Sequence, residues 1–258
     1  MPEFDPYDSL VPVFLETQAP NRISQIGTAV FVELHGEPFL YTAAHVTDER
    51  KSGYLLVPTS IGLEPIDGYM AFIDLPPEVD RREDDTDIAY YRLSSEFAAT
   101  LCHHFRPLPQ TRCELIKSSM ELTVCSASGY PASKSGKTAD GSHRSEVFSF
   151  RGVAAQQHVY DSLGLSSDVN IVIHFSKKRA VDPDTFDKYP TPSLKGVSGG
   201  GIFAWPKGEE LSDDWNLPKL IGLIHSFREK DGLIIGSTLL PVIAAIQLGR
   251  MKKFGGVR

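Results

Sequence analysis

Ser198 lies in the run Lys195-Gly196-Val197-Ser198-Gly199-Gly200-Gly201, where glycines let the backbone turn without a Cβ clash. A hydroxyl beside exposed N–H donors suits acyl transfer. The oxygen attacks a carbonyl while the donors receive the negative charge that develops. A plain glycine turn between two strands has the same composition, so the serine needs a base and an orienting acid from elsewhere. Two stretches offer them: Thr42-Ala43-Ala44-His45 after an apolar run, and Asp87-Ile88-Ala89-Tyr90-Tyr91-Arg92-Leu93. His45 would take the Ser198 proton, and Asp87 would hold the ring's tautomer and stabilise the imidazolium. Asp84 and Asp85 are neighbouring candidates for the acid. Asp87 is preferred because it begins the apolar strand, where a carboxylate can be buried against the imidazole N–H.

These three positions require strands to carry them. Strand-like runs separated by turn residues recur at 10–15, 25–34, 38–42, 53–57, 68–73 and 87–93, and again at 121–127, 146–154, 169–175, 200–205, 220–226 and 232–238. Helical pattern is confined to 94–102 and to about 239–248, the latter with Pro241 near its first turn. The Pro-rich segment Pro107-Leu108-Pro109-Gln110-Thr111 reads as the crossing between two halves. His45 and Asp87 then fall in the first half and Ser198 in the second.

Composition narrows the function further. The chain has 258 residues, 41% hydrophobic, enough for one large core or two small ones sharing a cleft. A net charge of −7 argues against a nucleic-acid or anionic-membrane binder. Only Gly249-Arg250-Met251-Lys252-Lys253 is locally basic, and it reads as a solvated tail. The start, Met-Pro-Glu-Phe-Asp-Pro, has neither a basic n-region nor a long apolar h-region, and no stretch approaches transmembrane length. Cys102, Cys113 and Cys125 are odd in number and lack C-x-x-C spacing, which suits reduced thiols in a cytosol. The expected location is therefore cytoplasmic.

Several other patterns are weaker. Ser133-Lys134-Ser135-Gly136-Lys137-Thr138 looks like the end of a phosphate loop, but Pro131 stands where the first glycine is needed, so a flexible surface loop is expected. Cys102-His103-His104 has no second ligand group at metal-like spacing and reads as a helix end. The charged loop Arg81-Arg82-Glu83-Asp84-Asp85 reads as solvated. No metal or organic cofactor is called for. Ser198 also satisfies G-x-S-x-G, with Asp213 or Asp214 and then His225 in α/β-hydrolase order. That fold needs a helix straight after the nucleophile, and the residues from Gly200 to Trp205 read as a strand.

The order His45, Asp87, Ser198, with T-A-A-H, D-I-A and G-x-S-G-G, resembles the trypsin-like (chymotrypsin-fold) serine peptidases over roughly residues 10–248. The resemblance implies an all-β fold of two six-stranded antiparallel β barrels with a C-terminal helix. Residues 1–110 would carry His45 and Asp87, and 111–258 would carry Ser198, the helix and the basic tail. It implies serine endopeptidase activity on a polypeptide substrate, with the backbone N–H groups of Gly196 and Ser198 as oxyanion donors. It also implies a substrate pocket lined by Pro192, His225, Ser226, Phe227 and Ser237.

Pro192 stands where trypsin-type specificity needs an acid, and Phe227 would narrow the entrance, so an uncharged, small or apolar residue is expected before the cut. Val46 replaces the cysteine that many secreted relatives place after the histidine, which suggests an intracellular, prokaryotic-type member. Val197 replaces the aspartate that pairs with a cleaved N-terminal amine in those relatives. Activation by zymogen cleavage is therefore not expected; packing or a regulatory protein partner would order the oxyanion loop. The alternatives are a peptide-binding or sensor module on the same scaffold, and an esterase using Ser198.

Overall fold

The computed structural model describes residues 5–247 apart from 18–22, 73–74, 76–77, 139–142, 176–187, 189–190 and 211. Two curled antiparallel sheets make up nearly all of its regular structure. The first is built on β1 (Leu10–Thr17), β2 (Ile23–Leu34) and β3 (Glu37–Ala43). It is extended past β1 by β4 (Gly53–Thr59) and β5 (Gly62–Pro65), and past β3 by β7 (Ile88–Leu93) and β6 (Gly68–Phe72). A short β8 (Leu108–Pro109) pairs in parallel with β2. The edge strands β5 and β6 are separated in the chain only by Ile66 and Asp67. Three Cα steps reach about 11 Å at most, so the sheet must curl until its edges come together.

The second sheet runs β12 (Phe148–Val153), β9 (Val124–Gly129), β14 (Gly201–Ala204), β15 (Lys219–Arg228), β16 (Leu233–Thr238), β13 (Asn170–His174). It too closes on itself. Ala154, just past β12, bridges Ile173 of β13, and the Ala155 N–H donates to the Val172 carbonyl at 2.8 Å. The architecture is the expected pair of chymotrypsin-like barrels, with β5 and β8 added to the strands read from the sequence.

Strand β2 shows why the apolar runs are continuous rather than alternating. Ala29 and Phe31 enter the interior of the first sheet, with Val11, Val13, Leu40 and Leu55. Val30, Val32 and Leu34 point the other way, into a cluster shared with Phe203, Leu220 and Leu223 of the second sheet. Side chains alternate with a period of two, and both faces of this strand are buried. Each of the Val, Leu and Phe side chains contributes about 1.5 to 3 kcal/mol when removed from water. Leu239, Val242 and Ile243, at and within α4 (Leu240–Gln247), join the same cluster, so the C-terminal helix fastens the two sheets together.

Three further α-helices lie among the described residues: α1 (Ala44–Asp48), α2 (Ser95–Leu101) and α3 (Gln157–Leu163). The stretch expected to be a loop at Ser133–Thr138 instead contributes β10 (Ser135–Lys137), paired with β11 (His143–Ser145). The pairing partner lies on the far side of residues 138–142, where local composition carries no trace of it. No helix among the described residues is long and apolar enough to cross a membrane. The three cysteines are free thiols, and burial pushes Cys113 and Cys125 up to about 12.

Candidate active site

His45 sits on the first turn of α1, directly after β3. The first N–H groups of any helix lack intrahelical partners, and here Asp87 supplies them from a distant stretch. The Ala44 N–H donates to the Asp87 carbonyl at 2.9 Å, and the His45 N–H donates to Asp87 Oδ1 at 2.8 Å. The other carboxylate oxygen, Oδ2, lies 2.5 Å from His45 Nδ1. One carboxylate thus fixes both the backbone and the ring of the histidine. To do so Asp87 adopts φ +39°, a left-handed conformation uncommon outside glycine. Asp85, the neighbouring candidate, makes no hydrogen bond to His45 among the described residues. Its carbonyl accepts from Asn170 Nδ2 at 2.5 Å and Ser237 Oγ at 3.1 Å, tying the acid loop to the second sheet.

The Asp87 side chain is 6% exposed and the His45 side chain 40%, so the carboxylate is shielded while part of the imidazole stays accessible. Burial alone would push the His45 imidazolium down. The hydrogen bond and charge of Asp87, helped by Asp48 and Glu49, outweigh it and hold His45 above the ordinary histidine value. A general base works only when neutral. Activity is therefore expected to rise with pH through a midpoint above the ordinary histidine value of about 6.5, measured as the pH profile of acylation. The same shift stabilises the fold below that ordinary value and fades as pH rises through the folded value, so acid favours the fold while it disables the base. A profile centred below 6.5 would contradict the assignment.

The serine loop joins this pair through Thr28 of β2. The Thr28 N–H donates to the Ser198 carbonyl at 2.8 Å, and its hydroxyl donates to the Gly196 carbonyl at 2.9 Å. Thr28 was not singled out in the sequence; a threonine inside a continuous apolar run was the available signal. Gly199 brings the loop against β3. A Cβ there would sit 2.1 Å from the Thr28 carbonyl oxygen, 2.2 Å from Thr42 Oγ1 and 2.9 Å from the Ala43 nitrogen, two residues before His45. Its φ is +84° as well.

Gly199→Ala is expected to cost about 2 to 4 kcal/mol through overpacking and backbone strain, read as a lowered denaturant midpoint. Gly136→Ala, which faces open space, should be near neutral.

The backbone N–H groups on either side of Ser198 are engaged. Val197 N–H donates to the Leu194 carbonyl at 3.1 Å, Gly199 N–H to Ile224 at 2.6 Å and Gly200 N–H to Val197 at 2.9 Å. Among the described residues, the N–H groups of Gly196 and Ser198 donate to none. Gly196 takes φ +93°, with Ala132 and Tyr130 packed so closely that a Cβ would meet the Ala132 nitrogen at 2.8 Å. Val197 is buried in the apolar core of the second sheet. The Ser198 hydroxyl and His45 Nε2 form no hydrogen bond with each other. Such bonds are often loose without substrate and tighten on binding.

Of the expected pocket residues, His225 is the extra residue of a bulge in β15, between Ile224 and Ser226. Burial pushes its imidazole down, offset in part by Asp87, and its Nδ1 meets Ser226 Oγ at 3.2 Å. Its buried Nε2 has no hydrogen-bond partner. Phe227 packs edge-on against Phe175 at 5.4 Å. Pro192 is half-buried on the approach to the serine loop. Ser237 is fully buried and bonded to the acid loop, as above.

The α/β-hydrolase order does not survive. β14, a strand, follows Ser198, and Asp214 is engaged with Asn216 in an exposed turn. Among the described residues, no group of three or more His, Cys, Asp or Glu is placed to hold a metal ion.

No protein-family profile and no curated protein sequence matches the chain. Solved structures do. A Glu endopeptidase superposes with a TM-score of 0.52 at 12% identity, covering 95% of this chain and 91% of its own. The serine protease domain of the Sesbania mosaic virus polyprotein gives 0.49 at 14% identity, with 92% and 91% covered. The tobacco etch virus protease gives 0.49 at 11%, with 100% and 85% covered. At such identities the likeness to the Glu endopeptidase speaks for the chymotrypsin-like fold alone.

Proposed function

We propose that the protein is a serine endopeptidase in which His45, Asp87 and Ser198 form the triad and the Gly196 and Ser198 N–H groups form the oxyanion hole. The reading is carried by one observation: three stretches far apart in the chain meet at the junction of the two sheets, the His45–Asp87 pair on one side and the Ser198 loop on the other. The bonds from Thr28 to the loop and the close approach of Gly199 to Ala43 hold them together. The first barrel, 1–110, supplies base and acid, and the second, 111–258, supplies nucleophile and donors.

In this mechanism neutral His45 accepts the Ser198 proton as the hydroxyl oxygen attacks the peptide carbonyl. The carbonyl oxygen turns toward the two unengaged N–H groups. His45 then gives the proton to the leaving amine, and water reverses the steps on the acyl-enzyme. Loss of one such donor typically costs about 3 to 4 kcal/mol of barrier.

An uncharged residue before the cut suits the half-buried His225, whose imidazole is pushed toward its neutral form by burial, and the apolar Phe227–Phe175 contact. Val197, packed in the core with its N–H engaged, supports a loop preformed by packing. A regulatory protein would then act on substrate access in a cytoplasmic setting.

The test is hydrolysis of an unstructured polypeptide by the purified chain and by His45→Ala. Cleavage by the parent and its loss in the variant supports the proposal. Peptide binding without cleavage by either would favour a binding module on the same scaffold.

A further inference from the structure

The charged loop before Asp87 is solvated only in part: Glu83 and Asp85 are exposed, whereas Arg81 and Asp84 turn inward. Arg81 and Asp84 are 16% and 6% exposed, and Arg81 reaches two carboxylates at once. Its Nε donates to Asp48 Oδ2 at 3.1 Å, and its Nη1 donates to Asp84 Oδ2 at 2.7 Å. Asp48 is the last residue of α1, three residues after His45. Asp84 lies three residues before Asp87, and its Oδ1 accepts the Thr86 N–H at 3.0 Å. The guanidinium plane lies over the Phe72 ring, 5.6 Å from its centroid, with Arg50 at 5.2 Å from the same ring. A single fork therefore connects the helix that carries the base to the loop that carries the acid.

The connection matters because each element is intrinsically weak. Helix α1 has five residues and no side-chain cap of its own, and helices this short do not persist unaided. Asp87 is held at positive φ, which costs of order 1 to 3 kcal/mol unless its surroundings fix it. Asn170 and Ser237 fix the loop from the second sheet through the Asp85 carbonyl. Among the described residues no group of the second sheet bonds Asp48, and its other cations, Arg50 at 3.9 Å and Lys51 at 3.8 Å, follow it directly in the chain. Arg81 supplies that side, with the geometry only a planar fork can offer two carboxylates.

We infer that Arg81 is a positioning residue that clamps α1 to the acid loop and so keeps the Asp87 carboxylate on His45 Nδ1. The inference rests on the triad reading for its effect on rate, but not for its effect on the pair. A displacement of about 1 Å between catalytic groups can cost about 100-fold in rate. Arg81→Ala is therefore expected to lower kcat by roughly 10- to 100-fold, with KM changed less than about twofold. Arg81→Lys, a point charge able to meet one carboxylate well but not both, should fall between.

The protein is followed by two readouts: peptide turnover, and the far-downfield proton resonance of His45 Nδ1–H shared with Asp87. In Arg81→Ala that resonance should broaden or vanish below the unfolding temperature. Should Arg81→Ala fail to fold, Asp48→Ala removes the acceptor on the helix side of the clamp and should weaken the resonance in the same way. A parent chain without hydrolysis would remove the triad reading, and loss of the resonance in the variants would still support the clamp. An unchanged resonance with kcat within about twofold of the parent in folded Arg81→Ala overturns it.

Discussion

Ser198→Ala is expected to lower turnover on the order of 10⁶-fold while leaving the thermal midpoint in place. The size follows from how a triad works: without the hydroxyl there is no acyl-enzyme, and base and acid then have nothing to activate. The unchanged stability follows from the loop. Ser198 is anchored by its carbonyl to the Thr28 N–H, and its hydroxyl has no hydrogen bond to lose among the described residues. His45→Ala should be as damaging, and the double variant little worse than either, because members of a catalytic unit do not add. Residual turnover within tenfold of the parent in Ser198→Ala would mean that another group attacks.

Asp87→Asn is expected to cost about 10⁴-fold, the loss seen when a triad acid becomes an amide elsewhere. The amide oxygen can still accept the His45 backbone N–H. Its NH₂ group must then face Nδ1, which forces the ring proton onto Nε2, where Ser198 needs an acceptor. Removing the carboxylate charge also takes away the main influence holding His45 high, so the residual activity should titrate with a lower midpoint than the parent's. Asp85→Asn should be nearly silent, since Asp85 acts through its carbonyl. The pair of pH profiles separates these cases: an equal loss in both variants, or a midpoint that stays put in Asp87→Asn, would move the acid elsewhere.

Much of this was legible because the signals were local. His45 follows an apolar strand, Asp87 precedes one, and the glycines around Ser198 mark a backbone that must turn tightly; each can be read within a few residues. Other features depend on partners far along the chain. The loop at 81–85 looks solvated by composition, yet Arg81 finds Asp48 33 residues upstream. Helix α1 is too short to show a period, and it forms because Asp87 satisfies its first N–H groups. The positive φ of Asp87 leaves no mark, since aspartate gives no sign of its backbone angle. Helix α3 was legible and missed: Val159, Tyr160 and Leu163 share a face, and Gly164 at φ +70° closes it. The pocket is the least readable part. Ser237 turned out to hold the acid loop, and the bulge at His225 shifts the register on which any expectation for β15 depends.

The most direct test of the central claim is reaction of the intact protein with a fluorophosphonate, followed by mass mapping of the adduct. Such reagents capture a serine only when a base and an oxyanion hole serve it together. One stoichiometric adduct is expected, on Ser198, formed faster as pH rises through the His45 midpoint and absent in His45→Ala. An unmodified Ser198 in the folded parent, or an adduct that forms equally well without His45, would contradict the claim.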